Sequence, residues 1–301
     1  MTLDVIGFGA LNVDKLYRVN RIAGEDEESF VIDFQEETGG SAANTIVGLA
    51  RLGLKTGYIG KVANDREGRL LLADFKKEMV DLGEIKISEE GRSGTVMGYI
   101  DERGERALYV DPGVNDFLEF KEINLEYAGC AKFLHLTSFV ATKPFEAQKK
   151  LVSMLPAEVK ISFDPGTLYS RKGLASLKPL IERSFVALPS ESELRMITGE
   201  GYEKGSKILL REGVSVMAVK LGERGCYVTN RLESHLIEPY KVRVVDTTGA
   251  GDAFCAGFLY GLIKNKDLYE CGRLGNFVAS RCITKIGARA GLIRLSDTFN
   301  L

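Results

Sequence analysis

The chain has no tryptophan, only two histidines, and five cysteines among its 301 residues. His135 and His235 stand apart from any cysteine cluster, which argues against a zinc site. Cys130, Cys226, Cys255, Cys271 and Cys282 are odd in number, form no CxxC pair and mostly have apolar or small neighbours. They read as buried free thiols rather than a disulfide framework. No stretch is long enough for a membrane span: the longest nearly apolar run, Thr247 to Ile263, falls short and carries an aspartate. Met1 to Gly7 lacks the basic segment of a signal peptide, so the expectation is a cytoplasmic protein with no membrane partner. Nor is there a basic stripe; the net charge is -2, which speaks against a nucleic-acid partner.

What remains is ordinary globular composition, 45% hydrophobic and 27% charged. A chain of this length buries roughly three quarters of its unfolded surface without covalent staples. Short apolar runs at 3–8, 56–59, 132–136, 159–163, 185–188 and 214–219 predict buried strands. Helical patterns at 40–52, 66–80, 143–154, 172–182, 191–197 and 203–212 lie between them. This alternation predicts an α/β fold with a mostly parallel sheet covered by helices on both faces. Two segments break the rhythm. Residues 14–36 hold short extended pieces around the acidic loop 24–28, and 93–110 read as a hairpin turning at Asp101-Glu102-Arg103-Gly104. These predict a small projecting β-sheet, a lid over a cleft, a dimer interface, or both at once.

The sharpest chemical signal is Asp246-Thr247-Thr248-Gly249-Ala250-Gly251-Asp252-Ala253-Phe254, followed by an apolar helix to Ile263. A helix apolar all round is buried. Gly257 and Gly261 each cost it roughly 1 kcal/mol relative to alanine, which makes sense if something packs closely there. Gly249, Ala250 and Gly251 stand where the helix begins, where free N–H groups and the helix dipole form a cradle for a phosphate. Asp252 is the one carboxylate between Thr247 and Ile263, placed to take a proton from an attacking hydroxyl. The plainer reading is an acidic residue that complements the helix dipole beside a glycine turn.

Thr38-Gly39-Gly40-Ser41-Ala42-Ala43-Asn44 opens a second buried helix that closes at Gly53. Asn44 is a polar amide in an otherwise small and apolar turn, and a ligand's hydroxyls or the backbone would satisfy it. Gly7-Phe8-Gly9 invites a dinucleotide-binding reading, but the third glycine is absent and Asn12-Val13-Asp14 reads as a polar loop. Asn12 and Asp14 instead follow the first strand, at the carboxyl edge where α/β ligands bind.

Assembled, these residues resemble the ribokinase-like (PfkB) carbohydrate kinases over essentially the full length, residues 1–301 as one domain. Gly39-Gly40-Ser41-Ala42-Ala43-Asn44, with Gly60-Lys61-Val62-Ala63-Asn64-Asp65-Arg66-Glu67-Gly68 downstream, matches one family signature. Asp246 to Phe254 matches the other, in the right order. The resemblance implies a three-layer sandwich with a small β-sheet lid from about 14–36 and 93–111. It also implies Mg²⁺-dependent transfer of the γ-phosphate of ATP to a sugar-like hydroxyl, with ADP left open as donor. It makes Asp252 the general base and Gly249, Ala250 and Gly251 the anion hole. Asn12, Asp14, Gly39, Gly40, Ser41 and Asn44 become substrate contacts. Ser190, Lys220, Gly222, Gly225 and Asn276 fall to the nucleotide, and Glu193 to Mg²⁺ through water. Asp246 and Thr248, with the loop 285–287, resemble the monovalent-cation (K⁺) site of some members. Three departures matter: Ser190 replaces the family asparagine, Ser41 replaces the lysine of ribokinases proper, and Thr137 stands where a substrate-binding glutamate belongs. Ribose is therefore less secure as substrate, and a nucleoside kinase or a non-catalytic sugar-binding protein are the alternatives.

Overall fold

The computed structural model describes residues 2–103 and 105–298; Met1 and Gly104, the last residue of the anticipated turn, lie outside the described residues. Among these, nine strands form one sheet in the spatial order Ser234–Ile237, Cys226–Thr229, Val216–Lys220, Ser184–Ala187, Lys160–Phe163, Ala131–Leu136, Leu3–Phe8, Thr56–Ala63, Asp81–Ser88. Every pairing from Val216–Lys220 across to Asp81–Ser88 is parallel, and the two strands at the opposite edge pair antiparallel. Side chains alternate between two separate cores, as the pleat requires. Val216 and Ala218 enter one, Met217 and Val219 the other.

Helices Ser41–Arg51, Arg66–Lys77, Ala250–Ile263 and Leu268–Cys282 contribute to the first core. Thr142–Met154, Gly173–Arg183, Glu191–Thr198 and Tyr202–Arg211 contribute to the second, which completes three layers. The close contacts anticipated around Ala250–Ile263 are present. A Cβ on Gly261 would stand 2.9 Å from the Cys271 sulfur, and one on Gly257 would meet the Leu274 carbonyl. The neighbouring helix Leu268–Cys282 thus lies almost against its backbone. Gly53, with φ +83°, closes Ser41–Arg51 as expected.

A second sheet has the order Val31–Gly39, Asn12–Val19, Gly94–Ile100, Arg106–Asp111. It comprises the projecting segments, with one correction: Asn12-Val13-Asp14 is strand, not loop. Asn12 pairs with Gly39 on one side and Gly94 on the other, so backbone pairing rather than an apolar pattern makes this strand. Tyr17 stacks on Tyr99 at 5.2 Å and touches Phe34 at 4.9 Å. Phe30, Val31, Phe34, Leu108, Tyr109 and Val110 of this region are exposed.

Candidate active site

The main sheet sets polar side chains just beyond the carboxyl ends of its parallel strands, where ligands of such sheets bind. Asp164 follows Lys160–Phe163, Lys220 ends Val216–Lys220, and Ser190 follows Ser184–Ala187. Facing them is the start of Ala250–Ile263. Gly249 caps this helix at φ +75°, a conformation that suits glycine, and a Cβ there would stand 2.7 Å from the Ala288 Cα. The N–H groups of the helix's first turn have no intrahelical acceptor.

Asp252 projects from that turn. Its Oδ1 accepts the Ser41 hydroxyl at 2.7 Å, its Oδ2 accepts the Asn44 amide at 2.8 Å, and its carbonyl accepts the Thr45 hydroxyl at 3.2 Å. Burial raises the Asp252 carboxyl from its ordinary 3.8 to about 6; the Asn44 and Ser41 donors pull it down, Asp164 pushes it up, and Lys220 pulls it down. A carboxylate so poised is ionised at neutral pH yet able to accept a proton.

Asn44 and Ser41, expected at the substrate, thus spend their side chains on Asp252. The other face of the Asn44 amide is occupied too: its Oδ1 accepts the Arg289 Nε at 2.7 Å. Asn12 and Asp14 stand on the second sheet's strand. Buried Asn115 donates to the Asn12 Oδ1 at 3.2 Å and exchanges hydrogen bonds with Leu11, which fixes this entry to the strand. Gly39 lies against the Asp14 carboxylate so closely that a Cβ would strike it, and Gly40, at φ +105°, lies equally close to the Ala10 carbonyl. Burial lifts the Asp14 carboxyl from 3.8 to about 7; Arg289 opposes this, while Glu37 and Asp252 add to it.

On the other side of Asp252 opens a cleft of about 770 Å³. Its walls include Ser190, Glu193, Lys220, Gly222, Gly225 and Asn276, together with Ala250 and Gly251. The residues anticipated for nucleotide and metal therefore share one cavity with two residues of the helix N-terminus. Lys220 donates to Asp164 at 2.6 Å, and its ammonium stands 3.4 Å from where a Gly251 Cβ would be. Burial opposes the Lys220 charge, but Asp164, Cys255 and Glu193 more than offset it and the amine is held protonated. Ser190 and Glu193 form a reciprocal helix cap: the Glu193 Oε2 accepts the Ser190 N–H at 2.7 Å, and the Ser190 hydroxyl accepts the Glu193 N–H at 3.3 Å. Asn276 spends its Nδ2 on the carbonyls of Ile237 and Glu238, at 3.1 and 3.0 Å, and so shapes the cleft wall.

Asp246 joins two loops. Its Oδ1 accepts the N–H and hydroxyl of Thr248 at 2.9 and 2.8 Å, and its Oδ2 accepts the Gly287 N–H at 2.9 Å. Both oxygens face donors, and the pair staples the 246–248 turn to the 287 loop. Two residues of the site, Asp164 and Arg289, were not singled out in the sequence. Asp164 had one faint signal, a carboxylate directly after the buried run Ile161-Ser162-Phe163; Arg289 had none.

Known proteins give this geometry a class. A solved ribokinase from Thermotoga maritima, 24% identical, superposes with a TM-score of 0.88 over 98% of this chain and 97% of that one. An Arabidopsis thaliana ribokinase solved with ribose and ATP, 23% identical, does so at 0.86 over 100% and 98%. The fold is ribokinase-like. The chain belongs to the pfkB family of carbohydrate kinases, whose model matches residues 3–294. Among curated relatives it is 46% identical, over 83% of this chain and all of the other, to an uncharacterized sugar kinase of Archaeoglobus fulgidus. It is 31% identical, over 95% and 94%, to an ATP-dependent ribose-1-phosphate kinase of Halopiger xanaduensis.

Proposed function

We propose that this kinase moves the γ-phosphate of ATP to a hydroxyl of a sugar or sugar-like substrate, with Asp252 as general base. One observation carries the reading. The Asp252 carboxylate sits at a helix N-terminus, held by Ser41 and Asn44, beside the cleft lined by Lys220 and Ser190. The substrate hydroxyl lies between Asp252 and the polar strand entry at Asn12 and Asp14, against the close backbone of Gly39 and Gly40. Asp252 takes the hydroxyl proton as the oxygen bonds to the γ-phosphorus; the bond to the bridging oxygen breaks, ADP leaves, and the proton passes to solvent. The Ala250 N–H donates to the Thr247 carbonyl at 3.2 Å, so charge on the transferring group meets the N–H groups of Gly249 and Gly251 and the Lys220 ammonium.

The cleft suits Mg²⁺ of the kind that arrives with a nucleotide. Such an ion keeps several waters and needs only one or two carboxylates, and Glu193 lines the cavity. Bound there, it would neutralise phosphate charge; Glu193 would hold its water shell. A monovalent cation would fall to Asp246 and Thr248, whose side chains fix the 246–248 turn. The second sheet serves this reading as a lid over the acceptor, and its exposed apolar face fits a second copy of the chain.

The test is a nucleotide-consumption assay with Mg²⁺ against sugars, sugar phosphates, nucleosides, keto-deoxy sugar acids and inositol. Turnover with one clear acceptor supports the reading; ATP binding without turnover on any acceptor overturns it.

A further inference from the structure

Arg289 is 7% exposed and lies in a loop after the last long helix. Its Nε donates to the Asn44 Oδ1 at 2.7 Å, and the Asn44 Nδ2 donates to the Asp252 Oδ2 at 2.8 Å. A guanidinium only donates and a carboxylate only accepts, so the amide between them can face one way alone. Asn44 is itself 5% exposed, so both ends of its amide depend on these two partners. The same guanidinium is clamped from two further sides. Nη1 donates to the Thr38 hydroxyl at 2.8 Å, near the end of a second-sheet strand, and to Asp74 on helix Arg66–Lys77. The Arg289 carbonyl accepts the Arg51 Nη1 at 2.6 Å.

Burying a guanidinium is costly, and a group that served only to tie Asp74 to the loop would not need to reach Asn44, the residue that holds the Asp252 carboxylate. We infer that Arg289 is a positioning residue for phosphoryl transfer: by polarising and orienting the Asn44 amide it aims the Asp252 carboxylate at the acceptor, and through Thr38 it ties that aim to the second sheet. Without Arg289, Asn44 is free to turn its oxygen toward Asp252, replacing a donor by a repelling acceptor. This inference rests on the reading of Asp252 as the base. It adds a residue that makes no contact with the reacting atoms.

The test is a kinetic double-mutant cycle on the full chain, with ATP, Mg²⁺ and the acceptor of highest turnover. Arg289→Met leaves Asp74 without its cation, so the cycle is run in an Asp74→Asn background, checked for folding by thermal melting. That background keeps the Arg289–Asn44 contact and is expected to retain kcat. Adding Arg289→Met lowers kcat by about 10- to 100-fold, as a misaimed base does, with the KM for ATP within about 2-fold. Asn44→Ala lowers kcat comparably, and the Arg289→Met/Asn44→Ala pair falls no further than the worse single change. A purely structural Arg289 would lower the melting temperature and leave kcat alone. A folded Arg289→Met variant with kcat within about 2-fold, or losses that multiply in the pair, overturns the inference while Asp252→Asn remains inactive. Turnover retained in Asp252→Asn overturns the base assignment and this inference together.

Discussion

Asp14→Asn is expected to stabilise the protein while weakening acceptor binding. Burial holds the Asp14 carboxyl at about 7 rather than 3.8, so the folded chain binds this proton more tightly than the unfolded one. Between those two values the folded state carries more protons, and stability falls as pH rises. The contribution is fully present below about 3.8 and lost as pH passes through about 7. A shift from 3.8 to about 7 corresponds to roughly 4 kcal/mol of disfavoured charge at alkaline pH. That figure already includes the opposing attraction of Arg289; Asp14 keeps some exposure, so the net gain is on the order of 2–3 kcal/mol. Urea unfolding at pH 8 and pH 4 measures it. The variant should unfold at higher urea at pH 8, and the two proteins should converge at pH 4. Equal midpoints at pH 8 would mean that Asp14 is not held charged against its surroundings, and the idea that it is kept there for the acceptor's hydroxyls would go with it.

Other expectations follow from the same geometry. Gly249→Ala places a Cβ in the left-handed region, 2.7 Å from the Ala288 Cα; it should cost about 1–3 kcal/mol in a thermal melt and depress kcat. Lys220→Met strands the buried Asp164 and should cost about 3–5 kcal/mol, whereas Lys220→Met with Asp164→Asn recovers stability but not turnover. Recovery of both would leave Lys220 a purely structural cation. With its carboxyl at about 6, Asp252 must be deprotonated to act, so kcat should fall as pH drops through about 6; a profile flat down to pH 5 would contradict it. Phe34→Lys with Tyr109→Lys should convert a dimer to a monomer in sedimentation velocity, and an unchanged species would remove the second-sheet face as the interface.

The parts legible in the sequence were those with a local cause. Asp252 and its glycines stand within one turn, and an all-apolar helix following them can only be buried. The parallel sheet showed itself because doubly covered strands carry continuous apolar runs such as Val216-Met217-Ala218-Val219. Asp81–Ser88 escaped that logic because it is an edge strand, half exposed and carrying Asp81, Glu84 and Lys86. The Asn12–Val19 strand is held by partners far along the chain, so its polar start looked like a loop. Asn44 was legible as a buried amide in need of partners, but not which ones. Its oxygen meets Arg289 and its nitrogen meets Asp252 only because three elements converge, and no spacing within one segment records that. Asp164 and Lys220 are likewise neighbours solely through the order of the strands.

The most direct test of the account pairs two measurements on Asp252→Asn: ATP affinity by calorimetry and turnover with the best acceptor. With Asp252 as general base, ATP affinity stays within about 3-fold of the parent and turnover falls by about 10²–10⁴-fold, the usual worth of such a base. Turnover within about 10-fold of the parent, with ATP still bound, would contradict it.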